Sequence, residues 1–199
     1  MSIDDAIRRR RSVRGLQGPP LEPSEVERLV SLALTAPAPH HTQPWRFVEV
    51  SPERREALAT AMGDTWRADM ERDGVPRAQQ DRALARSRRQ VEEAPTLLLG
   101  CLVPDGLRRY EDDRWRAEWG LAQHSFGAAM QNILLAASES GLGAFWISAP
   151  LYARDAVRTA LDLEAEWEPQ AFIALGRRDP EYRPFDRPEP DLGRHFVRR

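Results

Sequence analysis

Apolar residues recur along this chain at two spacings. Val26, Leu29, Val30, Ala33 and Leu34 form one stripe at helical period, and Phe126, Met130, Ile133, Leu134 and Ala137 form a longer one within 119–140. Beside the second stripe, Gly127, Ala128, Ala129 and Ala136 leave room for another helix to pack closely, in the core or in a dimer. Ser24 to Glu27 reads as a capping box opening the first stripe. Further helices are predicted over 4–11, where Asp4 and Asp5 suit the helix dipole, from Pro52 past Met62 toward Met70, and over 151–161. Strands are predicted where the period changes: 46–50 alternates, 96–103 is a continuous apolar run suited to burial on both faces, and 144–148 and 170–175 follow.

Three stretches lack such a pattern. Residues 77–93 offer only Ala83, Leu84 and Val91 as apolar positions, which fits a solvated helix or a mobile flap over a site. Residues 104–118 have loop character, with Tyr110 and Trp115 among charges. The segment 176–199 is rich in proline and arginine and cannot form a core of its own, so it either wraps a partner subunit or is disordered.

Composition narrows the function classes. The 199 residues suffice for one domain or at most two, and no run of about 18 apolar residues spans a bilayer. A net charge of −2 gives no global pull toward nucleic acid or membrane. Every one of the 29 basic residues is arginine, so phosphate or carboxylate recognition has to be local and arginine-based. The single Cys101 excludes an internal disulfide and a multi-cysteine metal site, and its place in an apolar strand makes it a small core residue. The N-terminal sequence has no apolar leader core, so a cytoplasmic protein is expected.

The chemistry concentrates in two segments. Arg10, Ser12 and Arg14 alternate as on an extended chain and would grip a phosphate or a polar ring from one side, against the alternative of a solvated basic run. The loop from Thr35 to Phe47 is stiffened by Pro37, Pro39 and Pro44 and presents His40, His41, Thr42 and Gln43 in fixed directions, with Trp45 and Phe47 as apolar anchors. His40 and His41 do not form a metal pair, because adjacent strand residues point apart and no Glu or Cys lies at ligand spacing. Gly141 and Gly143 follow a helix and precede a strand, the reverse of a dinucleotide-binding turn. No nucleophile elbow and no phosphate-cradling loop with lysine is present. The remaining set suits holding a redox cofactor better than supplying a protein nucleophile.

Three motifs, Arg10-Arg-Ser-Val-Arg14, Gln43-Pro-Trp-Arg-Phe47 and Gly141-Leu-Gly-Ala-Phe-Trp-Ile147, together resemble the FMN-dependent nitroreductase family over essentially the whole chain. More narrowly, the Leu34-Thr-Ala-Pro-Ala-Pro-His-His-Thr42 string, Trp66-Arg-Ala-Asp69, Leu102-Val-Pro-Asp-Gly106 and Trp167-Glu-Pro169 resemble the nitroreductase-like domain of the bifunctional enzyme that completes the deazaflavin coenzyme factor-420. The resemblance implies one α+β domain over 1–199, with a central mixed, mostly antiparallel sheet wrapped by helices, in a domain-exchanged homodimer with FMN at the interface. It implies that Arg10, Arg11, Ser12 and Arg14 hold the flavin, that His41 and Gln43 face it from the partner chain, and that Ile147, Ser148 and Ala149 approach its N5 side. Arg177 and Arg178 would add phosphate contacts, and His40, Trp66 and Arg67 would meet the substrate. No residue serves as a nucleophile or metal ligand, since the hydride comes from FMN N5. The implied reaction reduces the enolpyruvyl-type double bond of the dehydro deazaflavin precursor under a flap spanning 67–89. Members of that narrower group carry a ligase domain ahead of this one, whereas this chain begins at Met1. A general NAD(P)H-dependent nitroreductase or quinone reductase, a non-catalytic flavin- or deazaflavin-binding module, and a dimeric helical protein with merely solvated arginines remain open alternatives.

Overall fold

Why the two spacings coexist is plain in the computed structural model, which describes residues 2–199: one sheet is covered by helices on both faces. The strands are β1 (Leu16–Gln17), β2 (Trp45–Glu49), β3 (Thr96–Leu102), β4 (Leu142–Ile147) and β5 (Glu168–Arg178). β5 pairs with β3, β4 and the short β1, and β3 pairs onward with β2. All four pairings are antiparallel, which corrects the expected mixed sheet.

Every residue of β3 is buried, as its unbroken apolar run predicts. Alternation then sorts the side chains. Leu98, Leu102, Ala171, Ile173, Leu142 and Ala144 face the core beneath α2 (Pro23–Ala33) and α5 (Arg114–Glu139). Leu97, Leu99, Cys101, Phe172, Ala174, Phe145 and Ile147 face the second core, under α3 (Pro52–Arg72) and α6 (Arg154–Leu161). The α5 stripe packs tightly because β3 has Gly100 beneath it: a Cβ there would lie 2.6 Å from the Phe126 ring. Of the small residues on α5, Ala129 is fully buried while Gly127 faces open space, so only part of that surface is used by this chain.

Several boundaries moved for identifiable reasons. The first helix, α1 (Ile3–Arg9), begins with a capping box between Ser2 and Asp5, whereas Ser24 caps nothing because α2 already starts at Pro23. α5 begins at Arg114, inside the stretch read as loop; the Asp112 carboxylate accepts from the Arg114 N–H, and Trp115 and Trp119 pack with ring centroids 5.6 Å apart. β5 runs to Arg178, so the tail begins later than 176 and includes one short helix, α7 (Leu192–His195).

The polar stretch is a continuous helix, α4 (Arg77–Glu92), folded back on α3 at the Gly74 turn. It is solvated on one side and pinned on the other by Arg67–Asp81, by Arg88 donating to the Thr60 hydroxyl, and by the buried Val91. At its end sits Arg55, buried, donating to the carbonyls of Val50, Ala94 and Pro95. Burial lowers the pKa of that guanidinium, a cost offset in part by Glu49 and Glu53.

Candidate active site

The N-terminal basic segment reaches the sheet through two glycines. After α1 the chain is irregular, and the Val13 N–H donates to the Ala144 carbonyl while Leu16 and Gln17 pair with Arg178 and Arg177. Leu16 lies over Gly143 and Gly176: a Cβ on Gly143 would stand 2.6 Å from Leu16 Cδ2 and 3.1 Å from Val13 Cγ1. Gly143, which the element order excluded from a dinucleotide-binding turn, is thus a seat for residues 13–16. Seating Val13, which is buried, turns the neighbouring Arg14 outward, and its Cζ stands 5.6 Å from the Phe145 ring centroid.

Arg14 and Phe145 form one side of a cleft of about 320 Å³ whose other wall is the end of α4, with Arg86, Arg89, Gln90 and Glu93. Residues 86, 89, 90 and 93 recur at helical spacing, so one face of α4 supplies the whole wall. These four residues and Phe145 were not singled out from the sequence. The signal was present in that spacing, masked by the fact that a polar helix face normally faces water.

The other predicted residues fall in distinct places. Arg10 ends α1 half-buried, with its carbonyl accepting from Arg187 at 2.6 Å; burial, then repulsion from Arg187 and Arg11, lowers its pKa. Arg11 turns back onto the carbonyls of Arg8 and Arg10. The Ser12 hydroxyl has no hydrogen-bond partner among the described residues and is half-buried next to Val13. Ile147 closes β4 in the second core, and Ser148 leads into a 3-10 turn (Ala149–Tyr152). Arg177 is held by Glu25 at 3.1 Å, and Arg178 by the Leu142 carbonyl at 3.0 Å. Trp66 is partly exposed on α3, and Arg67 is paired with Asp81. Neither these four nor the loop histidines line the cleft in the single chain.

The loop itself is built differently from the expectation. His40, His41 and Gln43 all adopt left-handed backbone, with φ of 54°, 58° and 49°. Such conformations cost on the order of 1 kcal/mol each for residues other than glycine. They make a 3-10 turn (Pro39–His41) rather than a strand, so the two histidines are not on opposite faces of an extended chain. The turn is held from outside. The Gln43 carboxamide donates to the Leu34 carbonyl at 2.8 Å, Thr42 packs on Gly106, and His40 Nε2 lies 3.4 Å from the buried Glu118 carboxylate, which also accepts from the Arg108 N–H. Glu118, like the cleft residues, was not singled out from the sequence.

Two chemistries drop out. Among the described residues no cluster of His, Cys, Asp or Glu could hold a metal ion. Burial pushes the Cys101 thiol up to about 12, with Glu164 adding to the shift, so it is not a nucleophile at neutral pH.

Comparison with known proteins agrees with this frame. The family model described as "Nitroreductase family" matches residues 7–177. The 5,6-dimethylbenzimidazole synthase of Rhodospirillum rubrum is 29% identical over 87% of this chain and 81% of its own length. The chloronitrobenzene nitroreductase of Comamonas testosteroni is 29% identical over 89% of this chain and 87% of its own length. Among solved structures, the FMN and NADPH-dependent nitroreductase NfnB from Sphigopyxis sp. strain HMH shares the fold with a TM-score of 0.71 at 21% identity, covering 100% of this chain and 99% of that one. These relatives are not deazaflavin coenzyme enzymes, so the narrower resemblance of the His40–His41 string finds no support among them.

Proposed function

This chain belongs to the nitroreductase family, and we propose from that premise that it is an FMN-dependent oxidoreductase that takes reducing equivalents from NAD(P)H and passes them to a small electrophile such as a nitroaromatic or a quinone. The observation that carries the reading is the cleft in which Arg14 stands over Phe145 opposite Gln90. An isoalloxazine needs an apolar surface for its ring and hydrogen-bond donors for the carbonyl and imine acceptors of its pyrimidine edge. Leu16, half-buried in the cleft beside the largely buried Phe145, offers the first, and Arg14 with the Gln90 carboxamide offers the second. A phosphate needs guanidinium and hydroxyl donors, which Arg10, Arg11 and the uncommitted Ser12 provide one segment away. The residues present therefore fit the cofactor.

Bound FMN would supply hydride transfer from N5, and the protein's part is orientation and electrostatics. Arg14, held in place by Val13 and the Gly143 seat, would put positive charge beside a flavin bound there, where reduction makes the ring electron-rich. Backbone at Ile147, Ser148 and Ala149 flanks the same strand end as Phe145. His41 and Gln43 do not reach the cleft within one chain, so their assigned role requires a second copy, and a homodimer is part of this reading. The α3–α4 hairpin that contains Trp66, Arg67 and the cleft wall is the element that would move over a substrate.

The family resemblance also leaves a more specific reading, in which the acceptor is the dehydro form of the deazaflavin coenzyme precursor. It rests on the Ala36–Thr42 string, whose strained turn is unusual enough to demand a purpose. One anaerobic experiment separates the two. Protein-bound FMN is reduced chemically and mixed with a nitroaromatic, a quinone or the dehydro precursor while the visible flavin band is followed. Rapid reoxidation by the nitroaromatic and quinone, with steady NADPH oxidation, supports the general reductase. Reoxidation by the precursor alone, with a product heavier by two hydrogens, supports the narrower one, and a protein that binds no FMN overturns both.

A further inference from the structure

The arginines around α4 are not all employed alike. Along the seam with α3, Arg77 meets Glu71 and Asp81, and Arg88 meets Glu92 and Glu56. Arg86 and Arg89, on the face that walls the cleft, make no side-chain hydrogen bond or ion pair among the described residues, and neither does Arg14 across from them. The cleft therefore holds three guanidiniums against one carboxylate, Glu93, on a chain whose net charge is −2. A concave wall of one sign focuses its field where a ligand enters, even when the whole molecule is slightly acidic. The cofactor's own anion does not account for these groups, because Arg10, Arg11 and Ser12 are available to a phosphate from the N-terminal segment, and Arg14 with Gln90 suffices for a ring edge. Arg86 and Arg89 are also exposed, on the helix side of the cleft.

We propose that Arg86 and Arg89 form an anion subsite at the mouth of the cleft, binding the carboxylate or phosphate of the small substrate that enters over the cofactor. The proposal rests on the flavin reading above and names the substrate class within it: an aromatic acid or a phosphorylated donor is preferred to its neutral counterpart. Exposed guanidiniums that hold no carboxylate need no partner displaced before binding, so the contact forms at little reorganisation cost, and it weakens with salt.

The test uses the FMN-loaded full chain. Benzoate and benzamide are titrated into the oxidised protein and binding is read from the perturbed flavin spectrum; kcat/KM is then measured for 4-nitrobenzoate against nitrobenzene, and KM for NADPH against NADH. Benzoate is expected to bind several-fold more tightly than benzamide. Arg86→Gln combined with Arg89→Gln is expected to bring the two affinities to within about a factor of two of each other, as loss of charge-assisted contacts implies. A parallel fall in the 4-nitrobenzoate preference locates the anion on the acceptor, and a fall in the NADPH preference locates it on the donor. Equal binding of benzoate and benzamide, or equal weakening of both by the variants, overturns the subsite. Flavin absorbance of the purified protein keeps the two readings apart: bound FMN without charge discrimination overturns this inference alone, whereas absent FMN overturns the function it rests on.

Discussion

Arg86 and Arg88 stand two residues apart on α4 and meet opposite surroundings. Arg88 bridges to Glu92 at 2.7 Å and to Thr60 of α3 at 3.0 Å, fastening the hairpin. Arg86 faces the cleft with no such partner. Arg55 gives a third case, buried and satisfied only by backbone carbonyls. One residue type thus closes a helix seam, waits for a ligand and ties strand ends together, and what differs is the supply of acceptors around each guanidinium. Composition could not separate these roles, since arginine is the chain's only cationic side chain apart from histidine.

Substitutions can break the comparison at each point. Arg55→Met should be the most damaging to the fold, because it strands the carbonyls of Val50, Ala94 and Pro95 in the interior; a loss of about 3 kcal/mol is expected by denaturant titration, with the end of α4 and hence the cleft wall loosened. Arg14→Ala should leave stability nearly intact and raise the FMN dissociation constant about tenfold or more, measured by fluorescence titration. Gly143→Val should weaken FMN in the same direction without replacing any proposed ligand, because the new side chain collides with Leu16 and Val13 and unseats Arg14. Arg88→Gln closes the series with a stability loss of about 0.5 kcal/mol or less and unchanged FMN affinity, as expected for exposed ion pairs.

The fully buried β3 offers a contrast in pH dependence. In the folded state the Cys101 thiol is raised from 9.0 to about 12, so the native protein holds that proton more tightly than the unfolded chain does. The resulting stability is fully present below pH 9 and is lost as pH rises toward 12. Cys101→Ala should flatten the alkaline limb of stability against pH, and the native thiol should resist alkylation at neutral pH until the protein unfolds.

How far each region could be read from sequence follows from the range of the forces that shape it. The α2 and α5 stripes and the all-buried run of β3 were legible because helical and strand periods are local properties of the chain. The capping position of α2 was misread because Pro23 satisfies the helix start one residue before Ser24. The Arg10–Arg14 segment was recognisable as a binding element, yet the reason Arg14 points into a cleft is Gly143, about 130 residues away. The cleft wall on α4 was legible only as one of two alternatives, a solvated helix or a flap over a site, because a polar helix face looks the same whether it meets water or a ligand.

The sequence by itself determined the family, the order of the four longer strands and the helices between them, and the basic segment as a binding element, since these rest on residue identity and short-range spacing. Only the tertiary structure decided that every strand pairing is antiparallel, that Glu118 and Gly106 hold the strained His40–Gln43 turn, and that Arg14, Gln90 and Phe145 share one cleft. Those outcomes depend on which distant segments come to lie against each other, and burial, register and close approach at glycine are settled only when the two cores close on the sheet.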